Sequence, residues 1–200
     1  MKLNVVYTNQ TSRVGEIVDL LEEILRKHKE TKAIEKTVVG FDLEYMKRKT
    51  GEVQTVTVAQ LCVENHVLVC HYHYAAPSPS ERFANFINSD AYEFSIVDAN
   101  NDRRVLEDTS LSCQNLVDIQ EQYKIKNTDK SKDSLGDLSA AIIDPIFLNV
   151  KGDAKKNKLY KKWANFPLDD EHVSYVARDA YVGYEVYRRI ALMRECLVNI

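Results

Sequence analysis

The first half of the chain alternates between one helical pattern and several β-type patterns. From Val14 to Leu25 the apolar residues recur every three or four positions, which is the spacing of one helix face, and Ser12 can cap the helix start. Runs rich in β-branched and aromatic residues predict four strands, at Lys2 to Thr8, Thr37 to Tyr45, Val53 to Val63 and His66 to Tyr74. Glu64-Asn65 can form a tight turn, so the last three strands are predicted to form an antiparallel meander.

The second half alternates helices with short strands. The predicted elements are a helix after Pro77-Ser78-Pro79-Ser80, a strand from Tyr92 to Val97, a helix from Asp102 to Leu111, a strand from Leu116 to Ile119, a helix from Leu135 to Ile143 and a long helix from Asp169 or Asp170 to about Arg194. A meander followed by alternating helices and strands predicts an α/β fold. We expect a mixed sheet flanked by helices, in one domain of residues 1–200.

The composition is that of a globular protein with an ordinary core. The apolar fraction of the 200 residues is 44%. No apolar run approaches the length of a membrane span, and the N-terminal residues MKLNVVYTNQTS lack a signal-peptide pattern, so we expect no membrane partner. The net charge of −3 neither predicts nor excludes a nucleic-acid partner, because local fields matter more than the total charge.

The four cysteines contain no pair with zinc-type spacing. If Glu64-Asn65 forms a two-residue turn, Cys62 lies opposite Val67 and Cys70 lies opposite Ala59, which offsets the two sulfurs along the ladder by roughly 10 Å. That offset disfavours a disulfide. Reduced thiols indicate an intracellular protein, in the cytoplasm or the nucleus.

A strand with two carboxylates, VGFDLEY, provides the first candidate chemistry. Alternate residues of a strand share a face, so Asp42 and Glu44 point the same way. Two like charges side by side repel, and each resists desolvation. We therefore expect a positive partner, either a Lys or Arg side chain or a bound cation.

Three further residues could complete such a site. Asp102 opens a predicted helix after the strand FSIV, at the rim of the sheet, where functional sites are usually built. In the final helix, Tyr175 and Asp179 lie four positions apart and therefore share a face, one turn from each other.

Each of these residues also has a purely structural explanation. The strand acids could be an edge-strand pair that forms salt bridges with Lys47 or Arg48. Asp102 could be a helix N-cap. Tyr175 could bond to Asp179, or Asp179 could pair with Arg178. The hypothesis of a site depends on the whole set, in this order along the chain.

The chain resembles the DEDD family of 3′–5′ exonucleases. VGFDLEY resembles the first motif of that family, DRRVL (Asp102 to Leu106) resembles the core of the second, and WANFPLDDEHVSYVARDAYVGY (Trp163 to Tyr184) resembles the third motif of the tyrosine subclass. That subclass contains RNase D and Werner-type exonucleases. The resemblance runs from about Thr37 to Ile190. It is closest to the compact plant Werner-like enzymes, including the RISC-interacting clearing exoribonuclease type, and it implies an RNase H-like fold.

Departures from the family pattern keep one alternative open. The glycines that usually precede the second-motif Asp are absent from IVDANND, so Asp98 is a rival for Asp102, although only Asp102 has the following Leu at the right spacing. His172 stands where these enzymes often have Gln. Ser174 occupies the position at which the histidine subclass would place its His, which favours the tyrosine subclass.

The resemblance implies a site for two divalent ions, Mg²⁺ or Mn²⁺, for which oxygen ligands are suited. It implies that Asp42 bridges both ions, that Glu44 and Asp179 complete the ion on the nucleophile side, and that Asp102 holds the other ion. It further implies that Tyr175 orients or helps to deprotonate the attacking water.

The remaining candidate residues are predicted to bind substrate or to have a structural role. Lys155, Lys156 and Lys158 belong to a lysine-rich stretch that could follow a phosphate backbone, and a solvated loop is the alternative. We interpret His172 as part of a solvated helix start rather than as a base. His71 and His73 are interpreted as sheet residues rather than metal ligands, and Trp163 is assigned to the core.

The resemblance implies a metal-dependent 3′–5′ exonuclease that degrades single-stranded nucleic acid, with RNA favoured over DNA. The alternative is a catalytically inactive exonuclease-like module that binds nucleic acid or protein. The sequence leaves a homo-oligomer open.

Overall fold

The computed structural model describes residues 2–31, 37–46, 54–74, 80–109, 111–126, 128–149 and 162–198. Within these ranges the strands are β1 Asn4–Thr8, β2 Thr37–Tyr45, β3 Val56–Val63, β4 His66–Cys70, β5 Tyr92–Ile96 and β6 Leu116–Asp118. The α-helices are α1 Thr11–Thr31, α2 Glu81–Ile87, α3 Ala99–Asp108, α4 Ile119–Gln122, α5 Leu135–Ile142 and α6 Asp170–Val198. Two 3₁₀-helices cover Tyr72–Tyr74 and Pro145–Asn149.

The strands form one mixed sheet in the order β1-β4-β3-β2-β5-β6. β2, β3 and β4 are the predicted antiparallel meander, and β1, β5 and β6 join it through parallel pairs. The register across the β3–β4 turn places Cys62 opposite Val67 and Cys70 opposite Ala59, as predicted, and both cysteines are free. The structure therefore confirms the predicted α/β fold with a mixed sheet and flanking helices.

Helices cover both faces of the sheet and divide the core into two layers. α1, α2 and α3 pack on one face, around Val14, Phe86 and Val105. α5 and α6 pack on the other face, around Leu138 and Val176. Because both faces are covered, the central strand β3 is buried along its whole length.

Several element boundaries differ from the sequence-based prediction. α3 begins at Ala99 rather than Asp102, because Asp98 adopts a left-handed conformation (φ 64°) that turns the chain from β5 directly into the helix. β4 ends at Cys70, which is the last residue that β1 pairs with, so His71 and His73 follow the strand rather than belong to it. Among the described helices, none combines the length and the apolar character that crossing a bilayer requires.

Candidate active site

The topology of the sheet places the predicted strand acids at the carboxyl ends of its parallel strands. β2 and β5 run parallel and pair from Thr37 to Gly40, so their carboxyl ends lie side by side. Asp42 and Glu44 extend β2 beyond the last of these pairs. β2 lies between β3 and β5 and is therefore not an edge strand from Thr37 to Gly40, whereas Asp42 and Glu44 pair only with β3. Lys47 and Arg48, the proposed salt-bridge partners, lie outside the described residues.

The long helix α6 crosses β2 in direct contact with its backbone. A Cβ atom at Gly40 would lie 2.3 Å from the carbonyl oxygen of Ala180 and 2.7 Å from Cβ of Tyr184. Glycine is therefore required at this crossing, because only a residue without a side chain lets the helix approach this closely. Asp179 lies on α6 directly beside this crossing, and Asp42 lies on β2 two residues past it.

The electrostatics of Tyr175 connect helix α6 to the strand acids. The pKa of Tyr175 is raised, first by burial and then by the negative charges of Asp179, Glu44 and Asp42. Tyr175 and Asp179 lie one turn apart on α6, so the Asp179 charge is the first of these three to favour the protonated phenol. Tyr175 and these three carboxylates therefore share one neighbourhood.

The electrostatics of Tyr45 connect the same strand acids to α3. Tyr45 lies at the end of β2, where a bulge interrupts the register with β3. Its pKa is raised to about 12, first by burial and then by the charges of Asp102, Glu44, Asp42 and Asp98. Asp42 and Glu44 act on both tyrosines, so their charges connect the α6 acid with the α3 acids.

The two candidates for the second-motif acid differ in burial and position. Asp102 is buried within the first turn of α3. Asp98 is exposed, occupies the N-cap position and makes no capping hydrogen bond with its side chain. The structural explanation of Asp102 as an N-cap is therefore wrong. Asn101, one residue before Asp102, donates a hydrogen bond from Nδ2 to the Tyr45 hydroxyl and ties α3 to the end of β2.

Trp163 forms aromatic contacts with Tyr175 and with His172. The indole of Trp163 stacks on the Tyr175 ring with centroids 6.2 Å apart, and the edge of His172 meets the indole at 5.1 Å. Trp163 is buried, as predicted. His172 is also buried, so its interpretation as a solvated residue is wrong. Its Nδ1 atom lies 2.6 Å from Oδ1 of Asp169, and Asp169 also caps α6 by accepting from the His172 backbone N–H.

His71 takes part in a hydrogen-bonded group that joins β1 to the segment before α6. It is fully buried, and burial lowers its pKa to about 4, so the ring is neutral at physiological pH. Its Nδ1 atom lies 2.7 Å from the hydroxyl of Tyr7, which accepts a hydrogen bond from the Leu168 backbone N–H. These bonds tie β1 to the segment that leads into α6. His73 is exposed.

The donor chemistry of the edge fits a hard divalent cation. Four carboxylates from β2, α3 and α6 supply only oxygen ligands, and their negative charges need an opposite charge to offset their repulsion. In the part of the chain that the structure describes, no three His, Cys, Asp or Glu side chains are arranged to hold a metal ion. A cation held by these carboxylates would draw their oxygens together around it.

Two residues near the acids were missed by the sequence-based reasoning. Gly40 is required by the close approach of α6, as described above. Gln60 lies directly opposite Asp42 in the β2–β3 ladder and is fully buried. A signal was present, because Gln60 is an amide within an otherwise apolar run, VAQLCV. Lys155, Lys156 and Lys158 lie outside the described residues.

Comparison with known proteins identifies a relative by sequence and several solved structures with a similar fold. The mouse bifunctional 3′-5′ exonuclease/ATP-dependent helicase WRN is 26% identical over 155 residues, which is 76% of this chain. The match covers 11% of the mouse protein, so the chain spans about a tenth of that relative.

Solved structures show the same fold at low sequence identity. The EXO domain of Aedes aegypti Nibbler superposes with a TM-score of 0.66 at 16% identity, covering 98% of this chain and 93% of that one. Trypanosoma brucei RNase D in complex with RNA U12 gives 0.70 at 14% identity, covering 94% and 63%. Escherichia coli RNase D gives 0.67 at 14% identity, covering 98% and 46%.

A family model described as 3′-5′ exonuclease matches residues 15–195. This range begins within α1 and ends in the last turns of α6, so it contains β2 to β6 and all five predicted catalytic residues. Because the match covers well over half of the sequence, the chain belongs to the 3′-5′ exonuclease family.

Proposed function

We propose that this protein is a metal-dependent 3′–5′ exonuclease of the tyrosine subclass that hydrolyses phosphodiester bonds from the 3′ end of single-stranded nucleic acid. The observation that carries the proposal is the neighbourhood of four carboxylates around Tyr175 and Tyr45. RNA is the favoured substrate. The likeness to an RNase D that was solved with RNA supports this preference, as does the resemblance to compact plant-type enzymes.

The proposed ligands of two Mg²⁺ or Mn²⁺ ions are Asp42, Glu44, Asp102 and Asp179. When bound, these ions would supply Lewis-acid stabilisation of the phosphodiester and would lower the pKa of a water molecule. Without a cation, the four carboxylates repel the negative charge of the substrate. The carboxylates therefore make hydrolysis dependent on added metal, and chelation should abolish it.

Tyr175 is proposed to position the attacking water rather than to deprotonate it. Burial and the neighbouring carboxylates raise its pKa above that of an ordinary phenol, which favours the protonated hydroxyl. A protonated hydroxyl can donate one hydrogen bond and accept another. Stacking on Trp163 limits the motion of the ring, and Tyr175 lies one helical turn from Asp179 on α6.

Lys155, Lys156 and Lys158 are proposed to contact the phosphate backbone of the substrate. The proposal depends on the density of positive charge in the sequence between Lys151 and Lys162. A chain with a net charge of −3 requires a local positive surface of this kind to attract a polyanion.

The function is tested with matched RNA and DNA oligomers that carry a label at either the 3′ or the 5′ end, with Mg²⁺, Mn²⁺ or a chelator. With a 5′ label we expect a ladder of shortening products. With a 3′ label we expect immediate release of a labelled mononucleotide, and faster turnover of RNA than of DNA. A ladder from the 3′-labelled oligomer would reverse the assigned polarity, and hydrolysis in the presence of chelator would overturn the metal dependence.

A second candidate function is a binding module without catalysis. It is favoured by the absence of a ready metal-binding arrangement among the described residues and by the altered second motif in IVDANND. The same oligomers separate the two functions. A binding module retains them, in a filter or gel-shift assay, with no product at any metal concentration.

Replacement of Tyr175 by Phe is expected to slow the chemical step by about 10²-fold or more, because a positioned proton-handling group is lost. The ring and its stack on Trp163 remain, so substrate affinity and unfolding temperature should stay nearly unchanged. Single-turnover rates at saturating enzyme measure the step directly. A wild-type single-turnover rate in the variant would make Tyr175 a packing residue.

Replacement of Asp102 by Asn is expected to lower hydrolysis by about 10²-fold or more, because a buried charge that faces the strand acids is removed. The matched variant Asp98→Asn changes an exposed carboxylate four positions earlier and should retain activity within a few-fold. Both variants are assayed at the same metal concentration. The opposite ranking of the two would assign the second-motif role to Asp98.

A further inference from the structure

Gln60 is a polar side chain in an environment that does not satisfy it. It lies in the middle of β3, all eight residues of which are buried, and its own side chain has no exposed surface. Neither Nε2 nor Oε1 of Gln60 has a hydrogen-bond partner among the described residues. Burying an unpaired amide is costly, and an apolar residue of the same size would remove that cost. Its presence in the sheet therefore calls for a role other than packing.

The polar group that Gln60 can reach along the sheet is Asp42. The two residues are directly opposite in the antiparallel β2–β3 ladder, so their side chains share a face and their Cβ atoms are about 4.5–5.5 Å apart. On β3 and β4 the neighbours of Gln60 on this face are apolar, and Glu44 on β2 is diagonal to it and so farther away than Asp42. Val69 lies opposite it on β4, and Val58 and Cys62 lie two residues away on β3.

We propose that Gln60 is a positioning residue for Asp42, which donates from Nε2 to the Asp42 carboxylate when the site closes around its cations. The inference rests on the proposed function, in which Asp42 is one of the metal ligands. Hydrogen bonds from outside the ligand shell orient ligating carboxylates, and their loss typically lowers metal affinity or activity by about 10–100-fold.

An amide suits this position better than the alternatives. A lysine would neutralise Asp42 and compete with the cation, whereas a glutamate would add a further negative charge to a neighbourhood that already contains four. A leucine would leave the carboxylate without a lateral donor. The amide donates a hydrogen bond and carries no net charge, so it can hold the carboxylate in one rotamer without reducing its attraction for a cation.

The test compares Gln60→Leu and Gln60→Met with a matched control, Cys62→Ala, which changes a buried residue on the same strand and the same face, two positions away. Three quantities are measured: the unfolding temperature without metal, the affinity for Mn²⁺ by titration calorimetry, and the rate of hydrolysis. Using two Gln60 variants keeps the test informative if either packs poorly.

For both Gln60 variants we expect an unfolding temperature that is unchanged or higher, an Mn²⁺ affinity lower by about 10-fold, and hydrolysis lower by about 10–100-fold. For Cys62→Ala we expect the reverse pattern. Its small cavity should lower the unfolding temperature by about 2–4 °C, with Mn²⁺ affinity and hydrolysis unchanged. The Gln60 variants are thus expected to lose activity without losing stability, whereas Cys62→Ala is expected to lose stability without losing activity.

Wild-type Mn²⁺ affinity and hydrolysis in both Gln60 variants would overturn the inference and leave the proposed function standing. A large loss of stability without metal in both variants would show that Gln60 is a packing residue, which also overturns it. A wild-type protein that neither binds Mn²⁺ nor hydrolyses RNA or DNA would overturn the proposed function and this inference together.

Discussion

Asp42→Asn is expected to lower hydrolysis by on the order of 10³-fold, with the fold intact. The substitution keeps the size of the side chain and removes one negative charge from the middle of the cluster, where Asp42 acts on both Tyr175 and Tyr45. An amide oxygen is a weaker ligand for a hard cation than a carboxylate oxygen. Because four carboxylates repel one another in the metal-free protein, the unfolding temperature without metal should be unchanged or slightly higher.

The measurement combines single-turnover hydrolysis with thermal unfolding in the presence of a chelator. Glu107→Gln is the matched control, because it also converts an acid to an amide but lies exposed on α3. The control should retain full activity. If Asp42→Asn hydrolysed substrate at near the wild-type rate with added Mg²⁺, the assignment of Asp42 as a metal ligand would be wrong.

Gly40→Ala is expected to lower both stability and hydrolysis. The new Cβ atom would lie 2.3 Å from a backbone oxygen of α6, which cannot rotate away as a flexible side chain could, so the helix must move outward. Overpacking of this kind costs about 1–3 kcal/mol. Moving α6 also separates Tyr175 and Asp179 from Asp42. A displacement of about 1 Å in such a site can lower the rate by roughly 10²-fold.

Gly183→Ala provides the control for this substitution. Gly183 lies on α6 itself, and a Cβ atom there would meet only the carbonyl oxygen of Ser95 at an ordinary 3.9 Å. Alanine favours the helix over glycine by about 1 kcal/mol. This variant should therefore be equally active and slightly more stable than the wild type. Similar unfolding temperatures and rates for Gly40→Ala and the wild type would show that α6 can shift without cost to the site.

The antiparallel part of the sheet could be predicted from the sequence, because neighbouring strands there are joined by short turns. The turn at Glu64-Asn65 set the register of β3 against β4, and this register agrees with the structure pair by pair. Patterns near the start of α3 were less informative. The left-handed conformation of Asp98 starts the helix three residues before Asp102, and a residue other than glycine gives no clear signal of that conformation.

The candidate acids were also predicted from the sequence, whereas the residues that support them were not. Asp42 and Glu44 share a strand face, and Tyr175 and Asp179 share a helix face, so periodicity alone pairs them. The need for Gly40 and the position of Gln60 depend on contacts between distant elements. His172 was predicted to be solvated because it lies near a helix start, but it is buried by Trp163.

The docking of α6 has a consequence for how the protein is made. The face of the sheet formed by Val58, Cys62 and Val69 is covered by α6, which lies after every strand in the chain. The bond between Tyr7 and Leu168 likewise joins positions that are 161 residues apart. On the ribosome, a chain that has been translated only as far as residue 169 therefore presents an apolar sheet face to chaperones and lacks two of the five proposed catalytic side chains. Under the proposed function, hydrolysis would therefore begin only after α6 has been synthesised and docked.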